Sequence, residues 1–252
     1  MRRDWCIPSI MWIATALASE AYPARGHIWR VVEHQHTAST RKLVSTHAEQ
    51  ELLEALLETS KPPYPTGTEK LHYLLKTPFR YYPPRPYGSR FRRPATLEGV
   101  FYASIEKRTA IAEMAYYRLR FFQDAPDCTP SKQEHKLTAF SVQYKTEREI
   151  NLQRPPLDKD KAQWTHPTDY SATQALAEVA RKAKIESIRY LSVRDIEHGS
   201  NIALLTFATF TSKRPTQEQT WYMHFSDSEV IATRPSSIDD DETFLFQKNQ
   251  LL

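Results

Sequence analysis

The order of periodic segments near the C-terminal end constrains the fold most. YSATQALAEVARKAKIE (170–186) has the spacing of an amphipathic helix, and three strand-like segments follow it: IRYLSV (188–193), NIALLTFATF (201–210) and TWYMHF (220–225). Only the turn RDIEHGS separates the first two. Strands crowded together without intervening helices argue for an α+β domain and against a regular βαβ array.

The N-terminal half supplies further elements in mixed order. Residues 9–21 read as a short helix packed by Ile10, Trp12, Ile13 and Leu17, and HIWRVV (27–32) reads as a strand. Its alternation places Arg30 on the same face as Ile28 and Val32, where a guanidinium needs an anionic partner. Thr46 and Glu49 form a capping-box signature before a helix whose Leu52, Leu53, Leu56 and Leu57 make one apolar stripe, and KPPYP (61–65) ends it. GVFYAS (99–104) then alternates as a strand and feeds the helix TAIAEMAYYRLRFF (109–122), with Glu113 in its first turns. KLTAFSVQYK (136–145) is another strand, 153–169 reads as a long polar connection, and SSIDDDETFLFQKNQLL reads as an acidic turn and short tail.

Bulk properties exclude several classes. Five glycines, seventeen prolines and 40% apolar residues in 252 describe a folded chain with one sizeable core. A net charge of +4 is too mild to drive binding to nucleic acid or an anionic membrane by itself. Cys6 and Cys128 lack CxxC spacing, so neither a disulfide framework nor a zinc knuckle is signalled, and a reduced, cytoplasmic setting is expected. The apolar run after Arg2 and Arg3 is broken by Pro8 and Thr15, which argues against a cleaved leader, and no segment is apolar for long enough to span a bilayer. His27, His34 and His36 lack a completing ligand, and Asp239–Asp241 lack a calcium-loop pattern, so no metal is expected.

No phosphate-binding loop, dinucleotide fingerprint, nucleophile elbow or HExxH motif occurs. What remains is a constellation of Arg30, Arg80, Arg90, Tyr102, Glu113 and Ser192. Arginine forks match phosphate oxygens, and tyrosine offers a flat face to a heteroaromatic ring, so the set suits a dinucleotide. A carboxylate beside a ribose stabilises positive charge growing at the anomeric carbon, as in glycoside cleavage.

TPFRYYPPRPYGSRF, GVFYASIEKRTAIAEMAYYRLRFF, THPTDYSATQALAEVARKAKIESIRYLSVRD and GSNIALLTF, in that order, resemble the RES domain, named for its Arg, Glu and Ser. The resemblance implies an ADP-ribosyltransferase-like mixed sheet with flanking helices. It divides the chain into an N-terminal extension (1–65), a RES domain (66–235) and an acidic tail (236–252). It also implies a toxin that consumes NAD by phosphorolysis, hydrolysis or ADP-ribose transfer, with inorganic phosphate as one co-substrate. An Xre-like antitoxin would neutralise it, and a homodimer within such a complex is compatible.

On the family's pattern, Glu113 in TAIAE matches the glutamate, Tyr102 in VFYAS the tyrosine, Ser192 in YLSVRD the serine and Arg90 in GSRF the second arginine. The first arginine has two matches. Arg80 in FRYY is preferred for its closeness to GSRF, and Arg30 in WRVV is retained because it sits in a strand. Arg80, Glu113 and Ser192 are thus the expected catalytic residues, and Arg30, Arg90 and Tyr102 the expected NAD contacts. The family's Gly-Gly-Arg-Phe-Asn-Pro element is here Gly88-Ser-Arg-Phe-Arg-Arg-Pro94, so an asparagine is lost. Without the resemblance, Glu113 would read as a solvated helix residue, Tyr102 as core and Ser192 as a strand-end hydrogen bonder. A rival reading takes Arg90, Arg92 and Arg93 beside Tyr81, Tyr82 and Tyr87 as a nucleic-acid-binding surface.

Overall fold

The computed structural model describes residues 12–34, 43–83, 86–94, 96–125, 134–236 and 240–251. Its centre is strand β3 (His135–Asn151), whose seventeen residues run past the expected 136–145. Strand β1 (Tyr22–Glu33) lies antiparallel along nearly all of β3, from Tyr22 opposite Glu149 to Glu33 opposite Leu137. The other edge of β3 is shared. Its first half pairs with β6 (Gln217–Phe225), which continues into β7 (Glu229–Arg234) and β8 (Glu242–Gln247), all antiparallel.

The last residues of β3 instead run parallel to β4 (Ser187–Leu191), with Glu149 opposite Ser187. β4 pairs with β5 (Ser200–Leu204), β5 with β2 (Phe101–Ser104), and β2 returns to β1 where Trp29 meets Ser104. Five strands therefore close on themselves while three flare away from β3. This is the expected α+β class with a mixed sheet.

Helices cover the sheet according to their apolar faces. Helix α4 (Lys107–Asp124) buries Ile111, Ala112, Ala115 and Leu119 against Val31, Leu137 and Trp221. Helix α6 (Ser171–Lys182) buries Leu176, Ala177 and Ala180 with Leu17 of helix α1 (Ala14–Ser19). A third cluster joins Ile28, Phe101 and Phe140 to Leu75 of helix α3 (Tyr73–Lys76) and to Phe79. Full burial of one such side chain contributes about 1.5–3 kcal/mol.

Several expectations need correction. The segment read as a tail carries β8, because Phe244 and Phe246 of ETFLFQ alternate toward the core and Phe244 stacks on Trp221 at 5.3 Å. The 153–169 connection is not merely polar. It contains helix α5 (Lys161–Trp164), whose buried Trp164 donates its indole N–H to the Leu157 carbonyl at 2.7 Å. NIALLTFATF leaves the sheet after Leu204, and the Thr206 hydroxyl caps a short 3-10 turn through the Ala208 amide.

Helix α2 (His47–Ser60) has the expected reciprocal cap between Thr46 and Glu49, yet its leucine stripe stays outside the core, with Leu52 62% and Leu56 58% exposed. The N-terminal helix begins at Ala14, and the basic and apolar residues before Trp12 lie outside the described residues. Cys6, His36, Cys128 and Asp239 also lie outside them. Among the described residues, no helix is long and apolar enough to cross a membrane, and no cluster of His, Cys, Asp or Glu could hold a metal ion.

Candidate active site

A cavity of about 510 Å³ opens where β1, β2 and α4 meet the loop that contains GSRF. That volume lies within the range of small-molecule sites. Its walls include Trp29, Tyr81, Tyr82, Tyr102, Tyr117, Tyr170 and Tyr190, three arginines (Arg30, Arg90 and Arg92), and Glu113. None of these arginines forms an ion pair with a described carboxylate.

Glu113 sits on the second turn of α4 and is held by a chain of neutral donors. The Ser192 hydroxyl donates to Glu113 Oε1 at 2.7 Å, and Asn201 Nδ2 donates to the same oxygen at 2.6 Å. Asn201 Oδ1 in turn accepts from the Ser104 hydroxyl at 2.6 Å, which fixes the orientation of the amide. Ser192 Oγ also accepts from the backbone amides of Arg194 and Asp195, both at 3.2 Å, so its own proton points to the carboxylate. Ser104, Ser192 and Asn201 are all buried. Three backbone segments thus hold the carboxylate that α4 carries.

The arginines are placed by three different devices. Arg30 follows the alternation of β1 onto the side of Ile28, and its guanidinium lies 5.2 Å from the Phe101 ring centre. Nη1 donates to the Tyr102 carbonyl at 2.5 Å, while Nε is buried without a partner. Burial pushes Arg30 down to about 10, with the Tyr117, Tyr102 and Tyr190 phenols acting in opposition, so it remains cationic at neutral pH. Arg90 is clamped by the carbonyls of Trp164 (2.8 Å) and His166 (3.2 Å), and faces the Tyr170 ring at 4.7 Å.

Arg92 is 6% exposed. It donates to the Tyr81 carbonyl at 2.8 Å, keeps a buried Nε without a partner, and is pushed down by burial. The turn that carries Arg90 and Arg92 depends on Gly88. Its φ is +75°, and a Cβ there would meet the Arg92 carbonyl at 2.3 Å. Gln174 of α6 ties the same turn down by donating to the carbonyls of Tyr87, Ser89 and Arg92.

Tyr102 and Tyr117 form two aromatic walls. The Tyr102 hydroxyl accepts from the Phe91 amide at 2.9 Å and lies 3.0 Å from the Ser89 hydroxyl; burial raises its pKa. The Tyr117 ring is 58% exposed and lines the cavity.

The structure thus brings together Arg30, Arg90, Tyr102 and Glu113 on the cavity wall, with Ser192 directly behind Glu113. Arg80 does not join them. Its side chain turns away to pair with Glu58 at 2.6 Å, bonds the Pro62 carbonyl and stacks 4.2 Å from the Tyr64 ring centre. Closeness in sequence to GSRF was a poor guide, because the 3-10 turn Thr77–Phe79 rotates Arg80 toward the N-terminal segment. Arg30 is the arginine in place.

Three residues escaped the sequence reading as site components: Ser104, Asn201 and Tyr117. Asn201 had a readable signal, an amide side chain followed directly by the apolar run Ile202–Leu204 of its strand. Of the arginines in the rival basic surface, Arg90 and Arg92 are buried and Arg93 pairs with Glu178.

Fold and site together define an α+β domain with a cationic, tyrosine-lined cavity around one carboxylate. The chain belongs to the RES domain family, whose model matches residues 62–226. No curated protein matches the sequence. Among solved structures, a chain of the M. tuberculosis MbcT–MbcA toxin–antitoxin complex is similar, with a TM-score of 0.48, 9% identity, and coverage of 81% of this chain and 89% of that one.

Proposed function

We propose that the protein is an NAD-consuming enzyme that cleaves the bond between nicotinamide and ribose. The observation that carries this reading is the carboxylate of Glu113, held by Ser192 and Asn201 inside a cavity with three arginines that pair with no described carboxylate. A buried cation without a counter-ion is costly, and a pyrophosphate is a ligand that would relieve that cost twice over. Arg30 and Arg90 would hold the pyrophosphate, and the tyrosine walls would stack on the rings.

In the reaction, the C1′–N bond breaks and nicotinamide leaves as a neutral base with the electron pair. Positive charge grows on the ribose C1′ and O4′. Glu113 would bind the ribose hydroxyls and stabilise that charge, since both donors described on it engage Oε1. Ser192 acts through Glu113: its proton is committed to the carboxylate. An oxygen nucleophile then adds to C1′ and loses its proton; phosphate, water and a protein side chain are the three classes to distinguish.

Membership of the RES family supports a toxin role and, with it, an Xre-like antitoxin that covers the cavity mouth in the cytoplasm. The test is incubation with NAD, with and without phosphate, followed by mass spectrometry of the products. Free nicotinamide with ADP-ribose or its 1′-phosphate supports the proposal. Absence of nicotinamide release from the folded wild-type protein, under both conditions and with added cell extract, overturns it.

A further inference from the structure

Arg92 is one cation more than a pyrophosphate requires. A dinucleotide joined by two phosphates carries two charges there, and Arg30 and Arg90 already answer them. Arg92 is nine-tenths buried, lines the same cavity, has no ion pair with a described carboxylate, and leaves Nε without a partner. Its bonds within the fold go to carbonyls, Tyr81 at 2.8 Å and Thr96 at a marginal 3.5 Å, which hold the guanidinium without neutralising it. The titratable groups around it are the Tyr102 phenol and Glu98, which favour its charge, and Arg181, which adds to the positive field.

The position of Arg92 within the cavity indicates which part of the ligand it meets. Arg30 bonds the Tyr102 carbonyl at 2.5 Å and lines the cavity together with Glu113, Tyr117 and Tyr190. That is the reacting end. Arg92 is anchored to the backbone carbonyl of Tyr81, and the side chains of Tyr81 and Tyr82 line the same cavity. A dinucleotide with its nicotinamide ribose at Glu113 would lay its other base against Tyr81 and Tyr82, and the ribose of that nucleoside beside Arg92.

We propose that Arg92 is a third phosphate subsite, and that the preferred substrate is the dinucleotide bearing an additional 2′-phosphate monoester on its adenosine ribose, NADP rather than NAD. This rests on the reading of the cavity as a nicotinamide-dinucleotide site. A guanidinium in an enclosed site forms charge-assisted hydrogen bonds with a phosphate monoester, and one such contact favours the ligand that carries it by about tenfold or more.

The experiment compares kcat/KM for nicotinamide release from NADP and from NAD, in wild type and in Arg92→Gln, which retains a donor for the Tyr81 carbonyl but loses the charge. In parallel, titration calorimetry compares 2′-phospho-ADP-ribose with ADP-ribose on the wild-type protein, so that the outcome stands even if the variant does not fold. The expected result is a preference of at least about tenfold for the 2′-phosphorylated compounds, which the variant reduces toward unity. Release from NAD equal to or faster than from NADP overturns this inference and leaves the NAD reading intact. A preference that Arg92→Gln does not change overturns the role of Arg92. Failure of the wild type to bind or cleave either dinucleotide removes both readings together.

Discussion

At the scale of the residue, the carboxylate and its supports make separable predictions. Glu113→Gln keeps an oxygen that can accept from Ser192 and Asn201 but removes the negative charge. Nicotinamide release should fall by about a hundredfold or more with little change in melting temperature. Ser192→Ala removes one of two donors from Oε1 and does not touch the ligand, so kcat should fall more than KM rises. A KM effect alone would instead place Ser192 in substrate binding. The two candidate first arginines also separate: Arg30→Ala should abolish turnover in a folded protein. Arg80→Ala should lower the melting temperature by a few degrees and leave turnover standing, because its partners are Glu58, Pro62 and Tyr64. Loss of turnover only in Arg80→Ala would restore the arrangement preferred from sequence. The signal for Arg30 lay in its alternation with Ile28 and Val32, which is a physical argument about burial. The case for Arg80 was only an argument about proximity.

At the scale of the element, periodicity predicts position well where an element is buried on a recognisable face, and poorly at the sheet margin. Helices α4 and α6 and strand β1 fell where the apolar pattern put them. The leucine stripe of α2 misled, since an amphipathic pattern states that a face can be buried and not that this chain buries it. Strand β8 was hidden because its approach is acidic and its alternation short. Charge adds to the pairing and packing that attach it. Glu242 accepts from Lys107 at 2.8 Å and pairs with Arg234 at 3.1 Å. Partial burial pushes its carboxyl upward, but the two cations outweigh this and hold it below its ordinary value of 4.5. A depressed folded-state pKa means that the contribution is complete above about 4.5 and is lost as pH falls through the lowered value. Protection factors of amides in β7 and β8, taken relative to the intrinsic exchange rate at each pH, should therefore fall on acidification below pH 4.5 more than those in β3, and Glu242→Gln should remove most of that difference. Equal acid sensitivity in wild type and variant would show that the clamp contributes nothing.

At the scale of the whole molecule, the cavity is where parts that are distant in sequence are held by one another. β1 lies outside the stretch matched to the RES family, yet it supplies Arg30 and a full-length partner for β3. This end of the chain is packed into the core: removal of β1 would take with it a wall of the site and the strand that closes the ring. No periodicity or spacing in the sequence states this, because the pairing spans more than a hundred residues and only the closure of β1 on β2 and β3 brings Arg30 to Tyr102. The same coupling sets how a ligand should act. A molecule that bridges Arg30 on β1, Arg90 in the Gly88 turn and Glu113 on α4 binds only the assembled structure and so stabilises all of it. ADP-ribose at a hundred times its dissociation constant should add about 2.7 kcal/mol, which for a chain of this size corresponds to a rise in melting temperature of about 5 °C or more. The rise should come in one transition and carry protection of β1 amides along with those of the 86–94 segment. A rise without protection of β1, or protection confined to α6, would place the ligand elsewhere and detach Arg30 from the site.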